Sequence, residues 1–283
     1  MLAASVLFAA MGVCVKLAST QFAAAELVFY RGFIALLLIG GWMAWHRLTP
    51  ATVHRRSHLW RGMAGTVALM ASFLAMTELP LSTAVTLGYT SPLFLALLLA
   101  FWLREPVRRS VHLALLLGFA GLVLLLRPTL NPEQWFGAVC GLLCGMMSAV
   151  AYLNVRTLGQ LGEPPWRTVF YFSLATSLAG LPWVLASAHA PHDGWSWLLV
   201  FGIGGFGALA QVCMTAAYKH GKTLSTASLS YSTVAFSCLF AFLLWAEALP
   251  WLAYAGIVLI AAAGIMATAF SVPPAKPLAE PID

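Results

Sequence analysis

Two cations, Lys16 and Arg31, stand inside long apolar runs, and their placement is the first chemical signal in the chain. A charge within a membrane span costs roughly 2.5–3.5 kcal/mol on insertion scales, so such residues face a cavity, a counter-ion or a cargo group rather than lipid. Glu26 and Glu78 fall at the same level of the apolar runs. These four residues fit either an ion-pair cluster holding neighbouring helices or a site that attracts or gates an anionic substrate group. Tyr89, Ser91, Asn154, Gln211, Tyr231 and Ser232 lie deeper. Their hydroxyl and amide groups suit a cargo shedding its water, and each could equally bond a neighbouring helix. Pro92 removes one backbone hydrogen bond, and the hydroxyls of Thr90 and Ser91 can take up the freed carbonyls. It marks a hinge or a static kink.

Other chemistries lack their parts. Cys140 and Cys144 share a helix face, but no histidine or second cysteine pair completes a metal site, so all five cysteines read as packing residues. The histidines fall in loops or at helix ends, no carboxylate pair lies deep in a run, and no glycine-flanked serine resembles a nucleophile elbow. Glu105 and Glu247 fall at helix exits, where fixing a loop or helix end is the expected job. No phosphate-binding loop is present to drive an ATP-powered pump, and no cofactor is called for. A channel would lack rings of like charge or a filter. The leading expectation is therefore a transporter, with a polytopic membrane enzyme or solute channel as alternatives.

The elements that position these groups follow from composition. Apolar residues make up 61% of the chain and charged ones 8%, with a mean hydropathy of +0.88. A helix needs about 20 mostly apolar residues to cross the hydrocarbon, and the runs have about that length. They predict ten spans: 2–18, 25–45, 60–78, 82–103, 111–127, 135–156, 167–186, 195–217, 225–246 and 251–270. The fold class is an all-α membrane protein, because runs such as Leu93 to Leu99 lack the alternation of a membrane barrel. The first run carries no cleavage signature and reads as a retained helix. Residues 271–283, with Pro273, Pro274, Pro277 and Pro281, read as a disordered cytoplasmic tail.

Basic residues set orientation. Loops after even-numbered spans hold Arg47, Arg55, Arg56 and Arg61, then Arg104, Arg108 and Arg109, then Arg156 and Arg167, then Lys219 and Lys222, whereas loops after odd-numbered spans hold only Arg127. Both termini are expected in the cytoplasm. The net charge of +6 is this topological bias, and loops so short make no nucleic-acid surface.

The chain also repeats itself. Val28, Phe29 and Tyr30 recur as Val169, Phe170 and Tyr171, Ser82 to Ala84 as Ser225 to Ala227, and Tyr89 as Tyr231, each roughly 142 positions later. Residues 1–130 and 131–270 thus form two five-helix repeats. An odd number of spans inverts the second copy, the ground plan of many secondary transporters. Inversion predicts Tyr89 toward the outer side and Tyr231 toward the inner side, as matched lining or gating residues. Gly137, Gly141 and Gly145 form a ridge for close helix approach; Gly202, Gly204, Gly205 and Gly207 mark a broken helix or close packing.

With these features in order, the chain resembles the drug/metabolite transporter superfamily, specifically its EamA-domain members. The resemblance rests on Phe29, Tyr30 and Arg31, on the stretch from Ala84 through Tyr89, Ser91 and Pro92 to Glu105, and on Ala216, Ala217 and Ser225 through Tyr231 to Glu247. It implies ten helices in two repeats with both ends cytoplasmic, and alternating-access movement of metabolites, commonly outward. One departure is Val234 where the first half has Pro92. The expected partners are a small-molecule substrate and the lipid bilayer of the plasma membrane, the bacterial inner membrane. A largely uncharged, aromatic interior suits amino acid-like or amphiphilic solutes better than multiply charged phosphates. Protons are the candidate coupling ion, through Glu26 or Glu78, with simple equilibration as the alternative.

Overall fold

The computed structural model describes residues 1–104, 109–128, 131–186, 194–245 and 251–270. Among them every regular element is helical: α1 (Leu2–Ala18), α2 (Ala24–Trp45), α3 (Arg55–Glu78), α4 (Leu81–Gly88), α5 (Ser91–Leu97, extended by a π turn to Trp102), α6 (Arg109–Leu126), α7 (Trp135–Gln160), α8 (Pro165–Ala186), α9 (Gly194–His220), α10 (Thr223–Leu229), α11 (Ser232–Trp245) and α12 (Trp251–Phe270). Taking α4 with α5 and α10 with α11 as single spans, nine stretches among the described residues are long and apolar enough to cross a membrane, and α1 is a shorter tenth. Helices are the answer lipid demands, because the hydrocarbon offers no partner to an unpaired backbone group. Leu37, Leu116, Leu185, Leu243 and Val258 stand exposed on the outside, a surface fit for hydrocarbon. The chain is a multi-pass membrane protein.

Several helices outrun their expected bounds at one end. α3 starts at Arg55 rather than residue 60, α7 continues to Gln160 and α9 to His220. Hydropathy falls before the backbone ladder does, since polar side chains in a last turn do not interrupt i to i−4 bonding. Arg61, expected in a loop, is consequently in the second turn of α3.

Spans four and nine are interrupted at matching places. Thr90 N donates to Leu87 O at 3.1 Å and Tyr231 N to Ser228 O at 3.2 Å, tighter i to i−3 bonds that replace the regular ladder. Side-chain hydroxyls take up carbonyls around both breaks: Thr90 Oγ1 to Leu87 O at 2.5 Å, Ser230 Oγ to Ala227 O at 2.6 Å and Ser232 Oγ to Leu229 O at 2.6 Å. Pro92 sits at the start of α5, where its missing N–H is harmless.

α3 lies along α7, α1 along α9, α2 along α8 and α6 along α12. The glycine ridge of α7 makes its neighbours possible: a Cβ at Gly137 would lie 2.7 Å from Leu79 Cγ, at Gly141 2.7 Å from Leu87 Cβ, and at Gly145 2.9 Å from Leu87 O. α9 is one continuous helix, and its glycines serve packing, with Gly202 against Cys14 and Gly204 against Ile34. At one end of the bundle Ser196 Oγ bonds Gln21 Oε1, joining the α1–α2 loop to the start of α9. At the other end the α2–α3 loop, the α7–α8 loop and the last turn of α9 are knit together.

Candidate functional site

The helices enclose a cavity of about 320 Å³, partly open to the exterior, with walls from both halves of the chain. α3 presents Arg61, Gly65, Ala68 and Ser72, spaced so that they share one helix face. α7 presents Cys144, Ser148, Ala151 and Tyr152 in the same way. Arg31 enters from α2, Phe172 from α8, and Gln211 and Met214 from α9. Tyr89, Ser91, Ser230 and Thr233 come from the two broken spans, so both interruptions open onto the same space.

Aromatic rings give this space its shape. Arg61 lies over the Phe172 ring, 4.1 Å from its centroid, and the rings of Tyr152 and Tyr218 stack at 5.2 Å. Tyr89 is within hydrogen-bonding range of Thr233, and its ring centroid is 6.3 Å from that of Tyr231. The two tyrosines therefore meet instead of standing apart on the outer and inner sides. Each occupies the break in the middle of its span, and the two breaks lie side by side. Tyr231 is wholly buried behind Tyr89, packed against Gly118 and in one apolar cluster with Leu122 and Ile260.

Of the residues singled out in the sequence, Arg31, Tyr89, Ser91 and Gln211 share the cavity wall. Pro92 is buried beside Ser91. Asn154 folds back, its Nδ2 donating to Val150 O at 2.9 Å, and Ser232 bonds Leu229 O; neither lines the cavity. Lys16 is exposed, in the last turn of α1. Glu26 is buried, but its carboxylate accepts the Ala23 N–H at 3.0 Å and caps α2 rather than pairing with Arg31. Glu78 is exposed. Glu105 and Glu247 lie outside the described residues, as does the segment from 271 on. Sequence reasoning missed Arg61, Ser148 and Tyr152. The signal for Arg61 was the small and polar stripe at 61, 65, 68 and 72, which a hydropathy window averages away.

A second polar cluster closes the knit end. Gly162, at φ +82°, ends α7 in a Schellman turn, with Glu163 N donating to Leu158 O at 3.0 Å. The turn aims Glu163 at both halves of the chain. Its carboxylate accepts hydrogen bonds from Thr52 Oγ1 and, at 2.8 Å, from Arg167 Nη1, and lies 3.6 Å from His58 Nε2. Lys219 Nζ donates to Glu163 O at 2.9 Å, and Tyr171 Oη donates to Pro50 O at 2.9 Å. Burial alone would push the Glu163 carboxyl up. The bonds from Thr52 and Arg167, with the charges of Arg167 and His58, outweigh it and hold the group below the ordinary carboxylate range. Among the described residues no cluster could hold a metal ion.

Comparison with known proteins places this architecture. The profile of the EamA-like transporter family matches residues 1–127 and again 135–269. The pseudopaline exporter CntI of Pseudomonas aeruginosa is 32% identical over 262 residues, covering 93% of this chain and 92% of that protein. An S-adenosylmethionine uptake transporter of Rickettsia felis is 24% identical over 82% of this chain and 78% of its own length. A solved crystal structure superposes with a TM-score of 0.81 at 21% identity, covering 95% of this chain and 97% of that one, and so shares the fold.

Proposed function

The chain belongs to the EamA-like transporter family, and from that premise we propose that it is a secondary transporter or facilitator moving a small organic metabolite, amino acid-like or amphiphilic, by alternating access. The relatives are transporters rather than enzymes. The cavity carries the reading: both halves line it, both broken spans open onto it, and it offers paired polar and aromatic groups at mid-depth. Arg31, Tyr89, Ser91 and Gln211 are the proposed substrate contacts, Tyr231 backs Tyr89, and the break beside Pro92 is the proposed hinge. Lys16, Asn154 and Ser232, which lie outside this wall, are proposed contacts of the opposite-facing state. Export is the proposed direction, supported by the exporter relative, and the uptake relative makes direction a quantity to measure.

Helix pairing supports an inverted duplication of 1–130 and 131–270. Exchanging the halves turns the α3–α7 pair into α9–α1 and maps α2–α8 and α6–α12 onto themselves. Loops after spans two and six and the end of span eight gather at one end with Arg167 and Lys219, while the loop after span one meets the start of span eight at the other. That segregation supports cytoplasmic termini in a bacterial inner membrane, by the basic bias of cytoplasmic loops. Proton exchange through Glu26 or Glu78 is the coupling to test.

The experiment is flux of a metabolite panel in proteoliposomes, with and without a pH gradient, together with labelling of Ser72→Cys in a cysteine-free background. Saturable counterflow and a thiol that reacts with impermeant maleimide from either side, according to the gradient, are expected. Unsaturable flux would point to a channel.

A further inference from the structure

The cavity holds two guanidinium groups and, among the described residues, no acid. Arg31 and Arg61 both line it. The described carboxylates are elsewhere: Glu26 caps α2, Glu163 belongs to the loop cluster, and Glu78 and Glu133 are exposed. Arg61 is 3% exposed, yet its Nε and Nη1 have no hydrogen-bond partner among the described residues. Arg31 lies near enough to Arg61 to repel it, and Tyr152 is within electrostatic reach of both. Two glycines keep room for these heads. A side chain at Gly65 would collide with Arg61 Nη1 and stand 2.7 Å from Phe172 Cε2, and one at Gly207 would stand 3.4 Å from Arg31 Nε.

An arginine does not shed its proton at any physiological pH. Two such cations facing one low-dielectric space are costly unless an anion meets them, and a planar guanidinium fork matches a carboxylate with two parallel bonds. The wall around them is mixed: Phe172 and Met214 offer apolar surface, while Ser72, Ser148 and Gln211 can bond the remaining polar atoms of a bound solute. A cationic solute would be repelled, and a neutral one would leave both charges unmatched.

We infer that the cargo is an organic anion whose carboxylate sits between Arg31 and Arg61, its carbon skeleton against Phe172, Tyr152 and Met214. This rests on the transporter reading and names its solute class. It revises the expectation of a largely uncharged interior.

The test uses the full chain, in detergent for thermal shift and in proteoliposomes for flux, with glutarate, glutamate, inorganic phosphate, cadaverine and choline as probes. Glutarate or glutamate should raise the melting temperature and compete with transport, and cadaverine and choline, which carry no carboxylate, should do neither. Arg31→Gln and Arg61→Gln should weaken carboxylate binding roughly 10- to 100-fold, the loss of a charge-assisted bond. Arg31→Lys and Arg61→Lys should lose less, and elution profile with unliganded melting shows which variants fold. Carboxylate binding unchanged in folded glutamine variants overturns the inference. So does equal transport of cadaverine, or stabilisation by phosphate alone, while saturable flux leaves the transporter reading standing. A protein that binds glutarate through both arginines but moves no member of the metabolite panel keeps the site and removes the transporter reading.

Discussion

Arg167 donates to Glu163 at 2.8 Å, and the same guanidinium reaches Thr49 O in the other half of the chain through its second nitrogen, at 3.4 Å. The pair is thus a clasp between the halves as well as a helix-end contact. Glu163 is buried and held below the ordinary carboxylate range. A depressed folded-state value stabilises the protein above the unfolded value, about pH 4.3, and the contribution disappears as pH falls through the folded value. Wild type should therefore lose stability below about pH 5. Glu163→Gln should cost roughly 1–3 kcal/mol at neutral pH and show a flatter acid limb. Thermal unfolding between pH 7 and pH 3 measures both; parallel curves for the two proteins would dismiss the clasp.

Tyr231 separates packing from hydrogen bonding. Its ring is fully buried, and its hydroxyl has no partner among the described residues. Removing the hydroxyl costs little where it bonds nothing, whereas emptying a ring-sized space costs about 3–5 kcal/mol. Tyr231→Phe should match wild type in melting temperature and flux, and Tyr231→Ala should melt far lower. A Phe variant as damaged as the Ala variant would mean that the hydroxyl has a task in another conformation.

Gly145 carries the closest approach between α7 and the broken span four. A methyl there meets Thr90 Oγ1 and stands 2.9 Å from Leu87 O, and a backbone carbonyl cannot swing aside. Gly145→Ala should destabilise by about 1–3 kcal/mol. Gly12 supplies the control, having nothing within 4 Å of its would-be Cβ. Gly12→Ala should be neutral or slightly stabilising, because alanine is the better helix former. Equal melting temperatures for the two variants would contradict the close crossing.

The spans were legible because lipid imposes one solution, long apolar helices, and hydropathy reports that directly. Their polar ends were not, since α3 carries Arg55, His58 and Arg61 within its ladder. Arg31, Tyr89, Ser91 and Gln211 were picked out by polarity within apolar runs, and all four reach the cavity. Polarity alone could not exclude Asn154 and Ser232, whose groups are consumed by carbonyls of their own chain one turn back. Glu163 escaped notice because its significance comes from Thr52, more than a hundred residues away, and no local pattern encodes that meeting. The first break was signalled by Pro92; the second, built on hydroxyls alone, had no such mark.

That asymmetry yields the last prediction. Span nine breaks at Ser230 and Tyr231 with Val234 in place of a proline, so a proline is not required for the interruption. In span four the bond from Thr90 Oγ1 to Leu87 O and the glycine at 145 remain when Pro92 is replaced. Proline at the first turn of α5 chiefly limits the unfolded chain, an effect of about 0.4–1 kcal/mol. Pro92→Ala should melt within a few degrees of wild type and keep flux within a few-fold. Replacing Thr90 with valine removes the hydroxyl that takes up Leu87 O and should slow transport more than Pro92→Ala does. Counterflow rates of the two variants decide the matter: if Pro92→Ala abolishes transport while Thr90→Val leaves it intact, the proline itself is the hinge and the hydroxyl account fails.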